Sequence, residues 1–224
     1  MTPLVPATVV FGDVVGSRAD PGTSEFLRAL RDDLETAYGS RRLAPSGFTQ
    51  GDELQLLLAP GADPFQAVLR AALRADARGL RWAVVSGDVL PGSGPATERT
   101  GPAFHEAREL LERAKMRRLG LLATTGDPSA DALLDELGPV LASLLEELTD
   151  RQREVARLIL VDDLRRAEAA DRLGVSRATV SVIAARARVR HLAALATALA
   201  RTFREGVERA SAHPVDAQIP AGAA

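Results

Sequence analysis

Apolar and polar positions along this chain follow two periods, and the changes between them mark its elements. Thr8-Val9-Val10-Phe11 is a β-branched and aromatic run that predicts a strand, followed by Gly12-Asp13-Val14-Val15-Gly16-Ser17. Residues 23–38 place Phe26, Leu27, Leu30, Leu34 and Ala37 at helical spacing. Phe48-Thr49-Gln50 and residues 54–58 flank Gly51-Asp52-Glu53, which predicts a hairpin with those three residues as its turn. Asp63-Pro64 reads as the N-cap and first-turn proline of a helix running to about residue 78. A strand over 81–87, a Pro/Gly/Ser loop over 91–99, a helix over 100–115 and a strand over 119–124 complete this part. The order β-α-β-β-α-β-α-β predicts one sheet with helices packed on it, in the ferredoxin-like style.

From residue 125 the period is helical throughout. Asp127 and Pro128 read as N-cap and first-turn proline. Leu134, Leu137, Leu141, Leu144 and Leu148 then form a seam suited to a dimer interface or to an intramolecular partner helix. Gly138-Pro139 predicts a kink or two short helices within it. Thr149 opens a helix with Val155, Leu158 and Ile159 on its apolar face, and a second helix over 164–173 carries Ala167, Ala169 and Ala170. Gly174 supplies a turn, and Ser176 caps a third helix beginning Arg177-Ala178-Thr179-Val180. Its buried face is predicted to be Val180, Ile183, Ala184 and Ala187. Its open face would be Arg177, Ala178, Ser181 and Val182, with Arg186, Arg188 and Arg190 toward its C-terminal half. Residues 189–209 continue as an amphipathic helix with Leu192, Leu195, Leu199 and Phe203 on one side, and the small-residue tail from Ala210 predicts disorder. The expected architecture is α+β: a sheet domain over 1–126, a helical connector over 127–148, an all-α helix-turn-helix domain over 149–209 and a tail over 210–224.

Charge sharpens this division. The 224 residues carry a net charge of −2. Residues 127–171 hold 12 acidic side chains against 5 basic, whereas residues 172–204 hold seven Arg and no Asp or Glu. A stretch of this kind, opening at the turn before the third helix, is the electrostatic footprint of a double-stranded DNA reader. The absence of Cys excludes thiolate nucleophiles and cysteine-ligated metal, and three His make a histidine-rich metal site a poor expectation. No apolar run approaches the ~18–20 residues of a membrane span, and the N-terminus lacks a basic, then apolar leader, so a cytoplasmic protein without membrane contact is expected. Lys115 is the only lysine beside 27 arginines, a bias that a GC-rich coding preference explains.

Two acids stand out, Asp13 at the end of the first strand and Asp52 at the hairpin tip. In a β-α-β-β sheet they can converge, and two hard oxygen ligands suit Mg²⁺ or Mn²⁺ completed by water and phosphate oxygens. Backbone N–H groups of Val14 to Ser17 face the next helix and can serve a phosphate. Four strings, Val10-Phe11-Gly12-Asp13-Val14-Val15-Gly16-Ser17, Gln50-Gly51-Asp52-Glu53, residues 80–89 and residues 101–108, together resemble the SatD family, itself similar to shortened class III nucleotidyl cyclase and GGDEF domains. The resemblance implies that Asp13 and Asp52 hold metal and that Gly12, Val14, Val15, Gly16 and Ser17 wrap a nucleotide's phosphates. It also implies departures: Phe48 replaces a base-selecting Lys, and His105 and Glu109 replace the Asn and Arg that orient ribose and stabilise the transition state. Glu109 would repel phosphate, and Arg108 points about 100° from it on a helix. Residues 148–155 and 167–181 resemble sigma factor region 4 and related bacterial regulators.

The reading that follows is a homodimeric DNA-binding transcription regulator whose degenerate cyclase-like domain binds a nucleotide or phosphate ligand with divalent metal. Its rivals are a divergent nucleotidyl cyclase or nucleotidyltransferase under helix-turn-helix control, and a non-catalytic dimerisation domain fused to a DNA reader.

Overall fold

A computed structural model describes residues 3–16, 22–49 and 52–212. The sheet part runs β1 (Val5–Val14), α1 (Thr23–Tyr38), β2 (Gly47–Thr49), β3 (Glu53–Leu58), α2 (Phe65–Ala72), β4 (Leu80–Val89), α3 (Pro102–Arg117) and β5 (Leu121–Thr124). Five helices follow: α4 (Pro128–Glu146), α5 (Asp150–Leu160), α6 (Arg166–Leu173), α7 (Arg177–Arg186) and α8 (Val189–Ala212). The strand order is β2-β3-β1-β4-β5, so the first four strands have the ferredoxin-like arrangement and β5 is added at one edge. β1 is antiparallel to both β3 and β4, while β4 and β5 are parallel. The fold is α+β with an all-α C-terminal part, as expected.

Strand alternation sends side chains to two faces. Val10, Leu56, Trp82 and Val84 join a core with α1, α2 and the C-terminal helices. Val9, Phe11, Leu57, Ala83 and Val85 pack instead under α3. Trp82, 3% exposed, is a core residue. Its cross-strand partner is Gly12, where a Cβ would lie 2.8 Å from the indole, so glycine lets the ring lie flat across β1.

Several local expectations are corrected. Glu53 is the first residue of β3 and not part of the turn, while Gln50 and Gly51 lie outside the described residues. α2 stops at Ala72, well before residue 78, and the chain turns back with Arg74 paired to Asp76 at 2.7 Å. Gly138-Pro139 does not divide α4, which runs unbroken from 128 to 146. Pro139 lacks one N–H, and Gly138 lies so close to β5 that a Cβ would meet the Leu121 carbonyl at 3.1 Å, so packing on the sheet overrides the local break. α8 extends to Ala212, three residues into the expected tail, and residues 213–224 lie outside the described residues.

The leucine seam finds its partner within the chain. Leu134 and Leu141 of α4 are buried with Leu192, Leu199 and Phe203 of α8. At the far end of α8 a Cβ on Gly206 would lie 2.5 Å from that of Ala130, Arg209 pairs with Asp127 at 2.9 Å, and Phe203 meets Phe65 of α2 edge-on at 5.9 Å. α5 docks through buried Val155, Ala156 and Leu158 and by polar contacts. Arg153 donates to the carbonyls of Ala72 (2.8 Å) and Leu148 (3.0 Å), and Asp33 of α1 accepts from both Arg70 (2.8 Å) and Arg157 (3.3 Å). Among the described residues no helix is long and apolar enough to cross a membrane.

Candidate functional site

The first candidate site lies where β1 ends. Asp13 is in register with Glu53 of β3 and Arg81 of β4, which places all three side chains on the α3 face of the sheet. The Lys115 ammonium of α3 stands 3.2 Å from the Asp13 carboxylate and 3.1 Å from Glu112. Glu53, 7% exposed, accepts from Gln55 at 2.7 Å, and Arg108 approaches it at 3.5 Å with its guanidinium 5.5 Å above the Phe11 ring. Burial raises the Asp13 carboxyl above its usual range; Lys115 opposes that rise, and the nearby Asp52 and Glu53 add to it. Burial also pulls the Lys115 amine down, but its bonds to Glu112 and Asp13 outweigh this and hold it above its ordinary value.

The sheet therefore brings Asp13 and Asp52 within electrostatic reach. Sequence reasoning missed three partners: Glu53, Arg108 and Lys115. Arg108, set aside by its helical angle, is the α3 arginine that reaches Glu53, although it is exposed like His105 and Glu109. The signal was present, since Arg108, Glu112 and Lys115 share one helical face and Lys115 is the only lysine. Val15 is 46% exposed, Val14 is buried, and Gly16 has φ +74° with open space around its Cα. Ser17 lies outside the described residues. Among the described residues no three His, Cys, Asp or Glu side chains are grouped to cage a metal. Mg²⁺ keeps several waters and needs only one or two carboxylates, so Asp13 and Asp52 fit its donor chemistry, with the Lys115 ammonium as its competitor for Asp13.

The second candidate site is α7. Gly174 adopts the left-handed conformation (φ 63°) that closes α6, and the Ser176 hydroxyl accepts from the Thr179 N–H at 3.1 Å to open α7. Val180, Ala184 and Ala187 are buried and Ile183 is half-buried, as the periodicity predicts. Arg177, Ala178, Thr179, Val182 and Arg186 are exposed and Ser181 is half-buried. The helix is shorter than expected: it ends at Arg186. Arg188 sits in a left-handed link (φ 51°) and Arg190 is on α8, so neither belongs to the same helix as Arg177. All four arginines are exposed, and none pairs with a carboxylate among the described residues.

Residues 140–190 match the family model for sigma-70, region 4. This segment spans the end of α4, all of α5 to α7 and the start of α8. Among solved structures, two of a bacterial light-regulated adenylyl cyclase resemble the chain at 15% identity, with TM-scores of 0.41 and 0.42. Each likeness covers 55% of this chain and 44% of the cyclase chain, so under half of that protein's length is represented. No curated protein matches the chain.

Proposed function

We propose that this chain is a transcription regulator that reads double-stranded DNA through α7, and whose sheet domain binds a nucleotide or phosphate ligand with Mg²⁺ or Mn²⁺ at Asp13 and Asp52. One observation carries the DNA half: a capped helix, whose exposed Arg177 and Arg186 pair with no carboxylate among the described residues, lies inside the segment that matches sigma-70, region 4. An α-helix of this kind fits the major groove, with Arg177 and Ser181 toward base edges and Arg186, Arg188 and Arg190 toward phosphates. Thr179 and Ala178 crowd the same first turn, and the exposed Val182 offers an apolar contact to a thymine methyl. The ligand half rests on the convergence of Asp13 and Asp52 beside the exposed Val15-Gly16 backbone. The homodimer belongs to the same reading, with Leu133 and Val140 as exposed apolar positions on α4; equilibrium sedimentation tests it.

The DNA half is tested by gel shift on duplexes selected by the purified protein. Arg177→Ala and Arg186→Ala are expected to weaken binding, each lowering the salt slope by about one per phosphate contact removed. Unchanged shifts in both variants would show that α7 does not face DNA.

A second reading, a divergent nucleotidyltransferase, is favoured by Arg108, which sets a cation beside Glu53 where transferring phosphate charge would need one. Product formed from nucleoside triphosphates with Mg²⁺, and lost in Arg108→Ala, supports that reading over the regulator.

A further inference from the structure

The same end of the sheet opens into a cleft of about 560 Å³, placed between the starts of β4 and β5 and the outer half of α4. Arg81, Arg118, Val15, Ser143 and Glu146 line it. A second, narrower recess of about 150 Å³ shares Gly79, Ala142 and Glu146 with it and is bordered by Trp82, Leu145 and Arg153. Its volume is in the range of small-ligand sites.

Two features make this cleft an anion site. Neither the Arg81 nor the Arg118 guanidinium pairs with a carboxylate among the described residues, although Glu146 is on the same wall. The recess adds the Arg153 guanidinium, which donates to the carbonyls of Ala72 and Leu148. The second feature is the backbone of Arg118. It closes α3 at φ 55°, ψ 37°, the left-handed position that glycine usually takes. A non-glycine residue is strained there. Among the described residues no ion pair of Arg118 offsets that strain, and Arg118 lines the cleft. Beyond it, Trp82 and Leu145 give the recess an apolar lining.

We propose that this cleft binds a phosphate-bearing small molecule of mononucleotide size. Its phosphates lie between Arg81 and Arg118, its flat apolar part enters the recess beside Trp82 and Leu145, and Glu146 accepts from a ligand hydroxyl or amine. The ligand class rests on the reading above, but capture by two guanidiniums requires no metal. That difference separates the two ideas experimentally.

Trp82 is the chain's only tryptophan, so its emission reports directly on the recess. The full chain is titrated with ATP, GTP and pyrophosphate in EDTA and again in Mg²⁺, following Trp82 emission and heat. Saturable nucleotide binding in EDTA is expected, with pyrophosphate competing. Arg81→Gln and Arg118→Gly should each weaken it by about tenfold. Arg118→Gly should also melt no lower than the parent, because glycine relieves the left-handed backbone; this separates lost binding from lost folding. Binding that appears only with Mg²⁺, vanishes in Asp13→Asn and survives both arginine changes would overturn the cleft and leave the metal reading standing. Absence of binding by all three probes under both conditions would overturn the cleft and the ligand reading together, leaving the gel shift to decide the DNA reading alone.

Discussion

Burial raises the Asp13 carboxyl, Lys115 opposes the rise, and Asp52 and Glu53 reinforce it. A carboxyl whose pKa is raised by folding contributes stability while protonated and loses it as pH climbs through the raised value. Ionising Asp13 therefore costs folding stability. Asp13→Asn is expected to melt above the parent at pH 7, with the gain shrinking as pH falls toward 4, the ordinary carboxylate range; thermal melts at the two pH values check this. The same substitution should remove any Mg²⁺ or Mn²⁺ affinity. Lys115→Gln should act in the opposite sense, strengthening Mn²⁺ binding seen by electron paramagnetic resonance, because the competing ammonium 3.2 Å from Asp13 is gone. Asp13 and Asp52 were legible in the sequence because strand ends and hairpin turns are local. Arg108 and Lys115 were not, since their meeting with residues 13 and 53 depends on which sheet face α3 covers. Local periodicity leaves that choice open.

The order of strands and helices was legible because each half-buried element carries its own period. The failures fall where packing overrules local chemistry. Gly138-Pro139 signals a break, yet α4 stays continuous along β5. The arginines of 177–190 look like one basic helix, but they divide between α7, a left-handed link and α8. Contacts between helices also set the stability of the C-terminal part. Gly206 lets α8 approach α4 and the turn after β5 closely, with a Cβ there only 2.6 Å from the Thr125 hydroxyl. Gly206→Val should destabilise the fold by about 1–3 kcal/mol in urea titration, despite its better local fit to a helix than a turn. Asp33→Ala leaves the half-buried Arg70 and Arg157 facing each other without their shared acid. It should cost about 1–3 kcal/mol, and Arg157→Ala in the same background should cost less than it does alone.

The near-neutral net charge hides an acidic α4 and a basic stretch from α7 into α8, brought together by folding into one chain with a continuous core. That core runs from the sheet face through α4 and α5 to α8 without a gap at residue 149. Heating is expected to give a single calorimetric transition, with van't Hoff and calorimetric enthalpies equal, and not separate meltings of sheet and helix-turn-helix. A fragment holding only residues 149–212 would expose Leu192, Leu199 and Phe203, which α4 and α2 cover in the full chain; its circular dichroism should show a weakened, non-cooperative helix signal.

The course of α8 has one more consequence. It leaves the link after α7 and spans 24 residues, roughly 36 Å at helical rise, before tying itself to Asp127 through Arg209. The two segments that flank the reader, one before it and one after it in the chain, are thus clasped to each other. Gene shuffling that cuts at residue 149 would part the clasp. An exchange that carried α4 through α8 as one cassette would preserve it, so the structural unit around α7 begins at the Asp127 turn.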